Sequence, residues 1–193
     1  MLFGNPGEVI DGLTVDGRSI RSAVVNENAV RAAAGITMAV GAVAFVYAYF
    51  EHRWLPLKIV SSFFFVEFLI RVTAGFRYSP VGVVSRWLTM RQPAQWVSYK
   101  PKRFAWTLGT GMAAAVTVIT NSNIHGWLPR GFCLACLALM WMESVLGLCL
   151  GCEIHGFLVR RGWVIKDEAF EICANGACDV VPRRPAAEFL ASN

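Results

Sequence analysis

The sequence has few charged residues and few histidines for its length. Of its 193 residues, 16% are Asp, Glu, Lys or Arg, three are His, and 55% are hydrophobic. A mean hydropathy of +0.48 is too apolar for a soluble domain of this size and indicates a membrane protein. The net charge of +5 is modest, and Lys and Arg lie mainly between the apolar stretches. We therefore expect the lipid bilayer, and no nucleic acid, as a partner.

The motifs of several enzyme classes are also missing. The sequence contains no nucleotide-binding loop, hydrolase triad or zinc-protease motif. Residues 1–28 are polar and lack the apolar core of a cleavable signal peptide, so we expect a retained cytoplasmic N-terminal segment. Whether the protein is an enzyme stays open at this point.

Four apolar stretches have about the 20 residues that a helix needs to cross the hydrocarbon core. They predict an all-α integral membrane protein, with a four-helix transmembrane bundle over residues 29–156 and a cytoplasmic C-terminal tail over 157–193. With both termini in the cytoplasm, fifteen Lys and Arg residues lie inside and three outside, as is typical of multi-pass proteins of the bacterial cytoplasmic (inner) membrane. The four predicted spans are residues 29–50, 56–75, 104–121 and 128–151.

Two Cys-x-x-Cys motifs lie in the last apolar stretch. Their spacing is typical of a four-thiolate metal site in a soluble protein. If residues 128–151 form one continuous helix, however, Cys133 and Cys149 are about 24 Å apart along the axis, because each residue adds 1.5 Å. One metal ion cannot bridge that distance. The sequence therefore predicts two separate thiol sites, an outer pair, Cys133 and Cys136, and an inner pair, Cys149 and Cys152.

Their positions on a continuous helix make the two pairs chemically different. The outer pair lies in the opening turns, where the helix dipole favours a thiolate. The inner pair lies in the last turns, where the dipole opposes a thiolate. We therefore expect the outer pair to be the better reactive dithiol. The alternative for the outer pair is passive packing, because buried thiols behave as small hydrophobic groups.

The inner pair has further candidate ligands nearby in the sequence. His155 follows it directly, and the tail supplies Cys173 and Cys178. A predicted β-hairpin that turns at Asn175-Gly176 places these two thiols opposite each other. Four thiols and one imidazole could then converge on the cytoplasmic face. Such a cluster predicts either disulfide exchange or a bound zinc ion or iron–sulfur cluster.

Three ionisable residues lie within predicted spans. Glu67 and Arg71 are four residues apart and can pair on one helix face. Glu143 lies near the inner end of the fourth helix. Charges at this depth should face the bundle interior, so we expect a network in which Arg71 holds Glu67, Glu143 or both. A proton-handling role is the alternative, because Glu143 shares a face with Cys136 and could relay protons to the outer dithiol.

Two functional hypotheses follow. In the first, a thiol-based redox or sulfur-handling membrane protein exchanges disulfides or persulfides with a thioredoxin-like partner. In the second, a non-enzymatic structural or assembly subunit of a larger membrane complex holds a metal at Cys149, Cys152, His155, Cys173 and Cys178. In a third alternative, all six thiols only pack against their neighbours and have no chemical role. The candidate catalytic residues of the first hypothesis are Cys149, Cys152, Cys173, Cys178, Cys133, Cys136 and Glu143.

Four segments carry a family resemblance: "VNENAVRAAAG", "EFLIRVTAGFRYSPVGVVSRWL", "KPKRFAWTLG" and "MESVLGLCLGCEIH". Together they resemble an uncharacterised bacterial membrane-protein family, domain of unknown function 4395, over roughly residues 26–156. The resemblance implies the fold and the membrane placement, and it implies no activity. It rests on Glu67, Arg71, Ser79, Pro80, Pro101, Lys102, Arg103, Phe104, Ala105, Cys149 and Cys152.

Overall fold

The computed structural model describes residues 7–9, 13–15, 18–19, 22–124, 126–164 and 181–182. The α-helices of this part of the chain are α1 (Glu27–Tyr49), α2 (Leu55–Thr73), α3 (Pro80–Thr89), α4 (Tyr99–Asn121), α5 (Trp127–Trp141) and α6 (Leu150–Arg160). A 3₁₀ turn covers Phe76–Tyr78, and a π-helical segment covers Met142–Leu146. The strands are β1 (Leu13–Val15), β2 (Arg18–Ser19), β3 (Val24–Asn26), β4 (Trp96–Ser98) and β5 (Val181–Pro182).

The helices α1, α2, α4 and α5 form a ring. Helix α1 packs against α2, α2 against α4, α4 against α5, and α5 against α1. The buried side chains of α1 are mostly small, and small side chains also meet elsewhere in the ring. Between α2 and α4, for example, the hydroxyls of Ser61 and Thr120 lie 3.2 Å apart. Small residues let helix backbones approach closely. On α1 the buried residues include Ala33, Ala34, Thr37, Ala44 and Ala48.

The outward faces of the ring carry large apolar side chains. Two segments, Glu27–Tyr49 and Trp127–Leu146, are long and apolar enough to cross a membrane, by length and composition. Helices α2 and α4 also expose large apolar side chains. Exposed large hydrophobic residues include Val40, Val43 and Val46 on α1, Leu55, Ile59 and Val66 on α2, Val118 on α4 and Leu134 on α5.

Residues 76–103, which the sequence places between two spans, contain more structure than a connecting loop. Helix α3 packs against α1. Its N-cap residue is Ser79, whose hydroxyl accepts the Gly82 N–H at 3.0 Å. Strand β4 pairs antiparallel with β3, which leads into α1. A ten-residue helix is too short for the apolar-run criterion, so the composition of this range gave no sign of it.

The prediction of one continuous helix over residues 128–151 is wrong. Helix α5 ends at Trp141, the π-helical segment follows, and Gly147 adopts a left-handed φ of 70°. The N–H groups of Gly147 and Leu148 both donate to the Met142 carbonyl, which terminates the helix in the manner of a glycine C-cap. Glycine takes this conformation because it has no Cβ. The chain then restarts as α6, so the inner cysteines do not occupy the last turns of a long helix.

The C-terminal tail is described at two residues beyond Val164. Strand β5 pairs antiparallel with β1, with Leu13 opposite Pro182, and β1 pairs with β2. The predicted hairpin at Asn175-Gly176, with Cys173 and Cys178, lies outside the described residues.

Candidate functional site

The helix break places the inner cysteine pair at the start of α6. Cys149 is the N-cap residue, with extended backbone (φ −90°, ψ 95°), and its Sγ accepts the Cys152 N–H at 3.3 Å. Cys149 and Cys152 form a disulfide, and their Cα atoms are 5.2 Å apart, within the usual range for a disulfide. Their exposed fractions are 7% and 2%. The pair therefore lies at the positive end of a helix dipole, contrary to the sequence prediction.

The outer pair has a different setting. Cys133 and Cys136 lie within the unbroken helix α5 and form no disulfide with any described residue. Cys133 is buried in a cluster with Ala44, Leu57 and Val116. It stands six residues after Trp127, the first residue of α5, and so beyond the first turn, where the dipole effect on a thiol is concentrated. The geometry therefore gives the outer pair no N-terminal activation.

Close contact with α4 fixes the position of the inner pair. Gly151 lies between the two cysteines, and a Cβ added there would come within 2.6 Å of the Ala105 Cα and 2.5 Å of its Cβ. A side chain at residue 151 would therefore overlap the backbone of α4. The glycine in Cys-Leu-Gly-Cys allows α6 to lie directly on α4.

Arg31 on α1 binds the carbonyl groups at the break. Its guanidinium Nε and Nη2 donate to the Ser144 carbonyl at 3.3 and 3.2 Å, and Nη2 also donates to the Val145 carbonyl at 3.0 Å. Carbonyls at a helix end have no partner within the helix, and a cation complements their partial negative charge. Helix α1 approaches closely at this level because Gly35 has no side chain. A Cβ at Gly35 would lie only 2.8 Å from the Ser144 Oγ. Arg31 thus stabilises the interrupted helix from the side.

Lys102 on α4 holds the π-helical segment through Glu143. The Lys102 Nζ lies 2.6 Å from the Glu143 Oε1, and 2.9 and 2.8 Å from the two carboxylate oxygens of Glu27. All three side chains are at least 86% buried. Of the predicted alternatives for Arg71, the structure shows the ion pair with Glu67, and the ion-pair partner of Glu143 is Lys102. Sequence reasoning missed Lys102 and Glu27, although Lys102 lies inside the "KPKRFAW" element that supported the family resemblance.

The predicted pairing of Glu67 with Arg71 is confirmed. The Arg71 Nη2 and Nε donate to the Glu67 Oε1 at 2.8 and 3.1 Å, and both residues are about 2% exposed or less. The second carboxylate oxygen of Glu67 accepts the Val81 N–H at 3.3 Å, and the Tyr99 hydroxyl donates to the Arg71 carbonyl at 3.2 Å. The Arg71 guanidinium also lies 4.8 Å from the centre of the Phe68 ring. This pair therefore ties α2 to α3 and α4.

A cavity of about 540 Å³ lies inside the ring. Most of its wall is apolar, supplied by residues such as Leu57, Phe64 and Met112. Both cysteine pairs contribute to the wall, and so do the two groups of buried charges. The chemically functional wall residues are Cys133, Cys136, Cys149, Arg71, Lys102 and Glu143.

Of the residues predicted to bind a metal, the structure describes Cys149, Cys152 and His155. Within residues 22–124 and 126–164, no three His, Cys, Asp or Glu side chains are grouped as metal ligands. His155 is buried on α6, and its ring lies 5.5 Å from that of Phe104. Cys173 and Cys178 lie outside the described residues, so a zinc or iron–sulfur site with Cys149, Cys152 and His155 stays a prediction.

The family assignment covers all of these features. The family model that matches residues 25–160 is described as a domain of unknown function (DUF4395). The chain belongs to this family. The matched range contains α1 to α6, both Cys-x-x-Cys motifs and the buried charges, and it excludes Cys173 and Cys178. Comparison with the curated proteins and with the solved structures finds no match.

Proposed function

We propose that the protein is a membrane thiol–disulfide oxidoreductase in which Cys149 and Cys152 alternate between a disulfide and a dithiol. The observation that carries this proposal is the placement of the pair at the start of α6, with the Cys149 Sγ bonded to the Cys152 N–H. A helix N-terminus stabilises the thiolate, and the thiolate is the species that exchanges disulfides. The outer pair lacks this placement.

The membrane part of the proposal is a bundle in which α1, α2, α4 and α5 each cross the bilayer. Its support is the distribution of side chains, with large apolar residues outside and small, polar or paired charged residues inside. Lipid on the outside favours this arrangement, because ionisable groups at membrane depth should face the bundle interior and pair there. Glu67 with Arg71, and Lys102 with Glu27 and Glu143, are such pairs.

The proposed orientation puts both chain ends, α3 and the start of α6 on the cytoplasmic side of a bacterial inner membrane. The fifteen-to-three distribution of Lys and Arg supports it. Helix α3 fits the headgroup region, because Trp87, Leu88 and Met90 are exposed beside polar neighbours. In intact cells, an impermeant maleimide should label Glu51→Cys and should not label Gln92→Cys. Inverted vesicles should give the opposite result, and the reverse pattern would contradict this orientation.

The proposed reaction is a two-electron exchange with a soluble dithiol protein of the thioredoxin-like kind. The thiolate of the partner attacks the Cys149 Sγ, which belongs to the less buried of the two cysteines, and the Cys149–Cys152 bond breaks to release the Cys152 thiolate. The second thiol of the partner then attacks the mixed disulfide and releases Cys149. The partner becomes a disulfide, and Cys149 and Cys152 take up two electrons and two protons as thiols. A dithiol formed by Cys173 and Cys178 in the tail is proposed to attack Cys149 in the same way and to become the disulfide in place of the soluble partner.

Oxidation of a reduced thioredoxin-like protein by the full-length chain in detergent tests this function. One equivalent of the disulfide form should oxidise one equivalent of the partner dithiol. Cys149→Ser and Cys152→Ser should each abolish that reaction, because either substitution removes the disulfide. Cys133→Ser is the matched control in the outer pair and should react like wild type. Oxidation of the partner by either inner variant to the same extent as by wild type would overturn the proposal.

A further inference from the structure

We propose that the cavity inside the ring binds a lipid-soluble quinone, which reoxidises the Cys149–Cys152 dithiol. This inference rests on the proposed function, because it names the oxidant that returns the same pair to its disulfide form. A disulfide that accepts two electrons from a soluble partner becomes a dithiol, and a second partner must then remove those electrons. The position of Cys149 on the cavity wall makes the cavity the place for that partner.

The size and lining of the cavity fit a small apolar molecule. Its volume of about 540 Å³ falls within the range of about 300–1,000 Å³ that is usual for small-molecule sites. Leu57, Phe64, Phe68 and Met112 form part of a wall that is largely apolar. A hydrophilic oxidant would lose more hydration along this wall than the few polar groups at one end could replace. A quinone ring with an apolar tail would not.

The polar groups of the wall are gathered at the end where Cys149 lies. Lys102 and Glu143 are bonded to each other there, and Arg71 is linked through its carbonyl to Tyr99, three residues before Lys102. Quinone oxygens accept hydrogen bonds, and the Arg71 guanidinium, whose bonds to Glu67 use Nε and Nη2, is a donor on the cavity wall. The end lined by Leu57, Val116 and Cys133 is apolar by comparison. The cavity therefore has a polar end for a ring and an apolar end for a tail.

Direct reoxidation of the inner pair by the outer pair does not fit the geometry. From Cys136 to Leu146 the chain stays helical for ten residues, which is about 15 Å along the axis. Thiol exchange needs contact between sulfur atoms. A ligand in the cavity meets Cys149 without movement of α5.

The proposed step conserves electrons and atoms. The thiols of Cys149 and Cys152 lose two electrons and two protons and form the sulfur–sulfur bond. The two carbonyl oxygens of the quinone gain the same electrons and protons and become the hydroxyls of the quinol. No metal or other cofactor takes part in this balance.

The test uses the full-length protein in lipid nanodiscs, reduced and freed of reductant under anaerobic conditions. The probe is a fully substituted benzoquinone with a decyl tail, since ring substituents block permanent addition of thiols. We expect one quinol per protein by absorbance, together with loss of alkylatable Cys149 and Cys152 by mass spectrometry. Ala113→Phe, which places a ring in the cavity wall, should slow quinol formation at least tenfold. Ala115→Phe on the same helix is the control, since residue 115 is not among the wall residues, and it should stay within twofold of wild type.

A second measurement does not depend on a variant. The corresponding quinol, added to the oxidised wild-type protein, should slow alkylation of Cys136 by an apolar maleimide, because Cys136 is on the same wall. Absence of quinol formation by the reduced wild type, or equal rates for Ala113→Phe and Ala115→Phe, would overturn the quinone site. If the disulfide form still oxidises the thioredoxin-like protein in that case, the proposed function stands without the quinone. If it does not, the proposed function fails first.

Discussion

The two Cys-x-x-Cys motifs have the same spacing and different backbones. Cys133 and Cys136 lie on consecutive turns of α5 and form no disulfide with any residue in the described ranges. Cys149 has extended backbone before a new helix begins, and it is bonded to Cys152. The comparison shows that spacing alone does not determine the chemistry of a thiol pair. The backbone at the first cysteine determines whether the two sulfur atoms meet.

The surroundings of the two cysteine pairs also differ, because one is apolar and the other contains polar and charged groups. Ala44, Ala48, Leu57 and Val116 pack around Cys133, so the outer end of the ring is apolar. The inner end contains a glycine break, an arginine on free carbonyls and a lysine between two carboxylates. Buried polar groups of this kind rigidify a site only when each is bonded. Three substitutions at the inner end, at Lys102, Gly151 and Gly147, test these contacts and their effect on the inner pair.

The largest effect is expected for Lys102→Met. This change removes the ammonium group that bonds both Glu27 and Glu143, and it leaves two buried carboxylates facing each other. Breaking a buried ion pair by removing one partner destabilises proteins by about 3–5 kcal/mol. Chemical unfolding in detergent should show a loss of this size. Lys100→Met is the control, because Lys100 is exposed in the same turn of α4, and equal stability of the two variants would contradict the network.

A smaller effect is expected for Gly151→Ala, compared with Gly131→Ala. The new Cβ at residue 151 overlaps the backbone of Ala105, and overpacking of this kind costs about 1–3 kcal/mol. A Cβ added at Gly131, two residues before Cys133, would meet no described atom within 4 Å apart from its chain neighbours and the backbone of its own helix, so alanine should stabilise α5 by up to about 1 kcal/mol. Thermal unfolding of both variants gives the comparison. Similar shifts in the same direction would show that α6 does not lie against α4.

The smallest change in stability is expected for Gly147→Ala, with a larger change in redox state. Alanine at a left-handed φ of 70° costs about 1–2 kcal/mol and favours a straighter helix through residue 147. The inner cysteines should then behave more like the outer pair, with a greater reduced fraction at a fixed ratio of oxidised to reduced dithiothreitol. Gly156→Ala in α6 is the control, because its Cβ would approach only Arg160 Nη2, at 4.0 Å. An unchanged reduced fraction in Gly147→Ala would show that the helix break at Gly147 does not determine the redox state of Cys149 and Cys152.

The sequence predicted the parts of the molecule that local patterns encode. The apolar runs located α1 and α2 to within two residues, and the four-residue spacing of Glu67 and Arg71 predicted their bond. The break at Gly147 was missed because the residues on both sides are equally apolar, so composition continues across it. Gly147 itself was the available signal, since glycine commonly ends helices.

The partners of Glu143 could not be predicted in the same way. Lys102 is 41 residues away and reaches Glu143 only because α4 begins at Tyr99, five residues before the predicted start of residue 104. Early starts of this kind follow from strand β4, which pairs with β3 and directs the chain into α4. Tertiary pairing therefore decided both the helix boundary and the charge network, and neither leaves a periodic pattern in the sequence.

The most direct test of the central claim is a site-resolved redox titration of the wild-type protein in lipid. Samples equilibrated over a series of dithiothreitol ratios are alkylated and read at each cysteine by mass spectrometry. We expect Cys149 and Cys152 to lose and regain their label together in one reversible two-electron transition, while Cys133 and Cys136 stay alkylatable as thiols over the same range. Reversible pairing at Cys133 and Cys136, with Cys149 and Cys152 remaining thiols throughout, would contradict the claim.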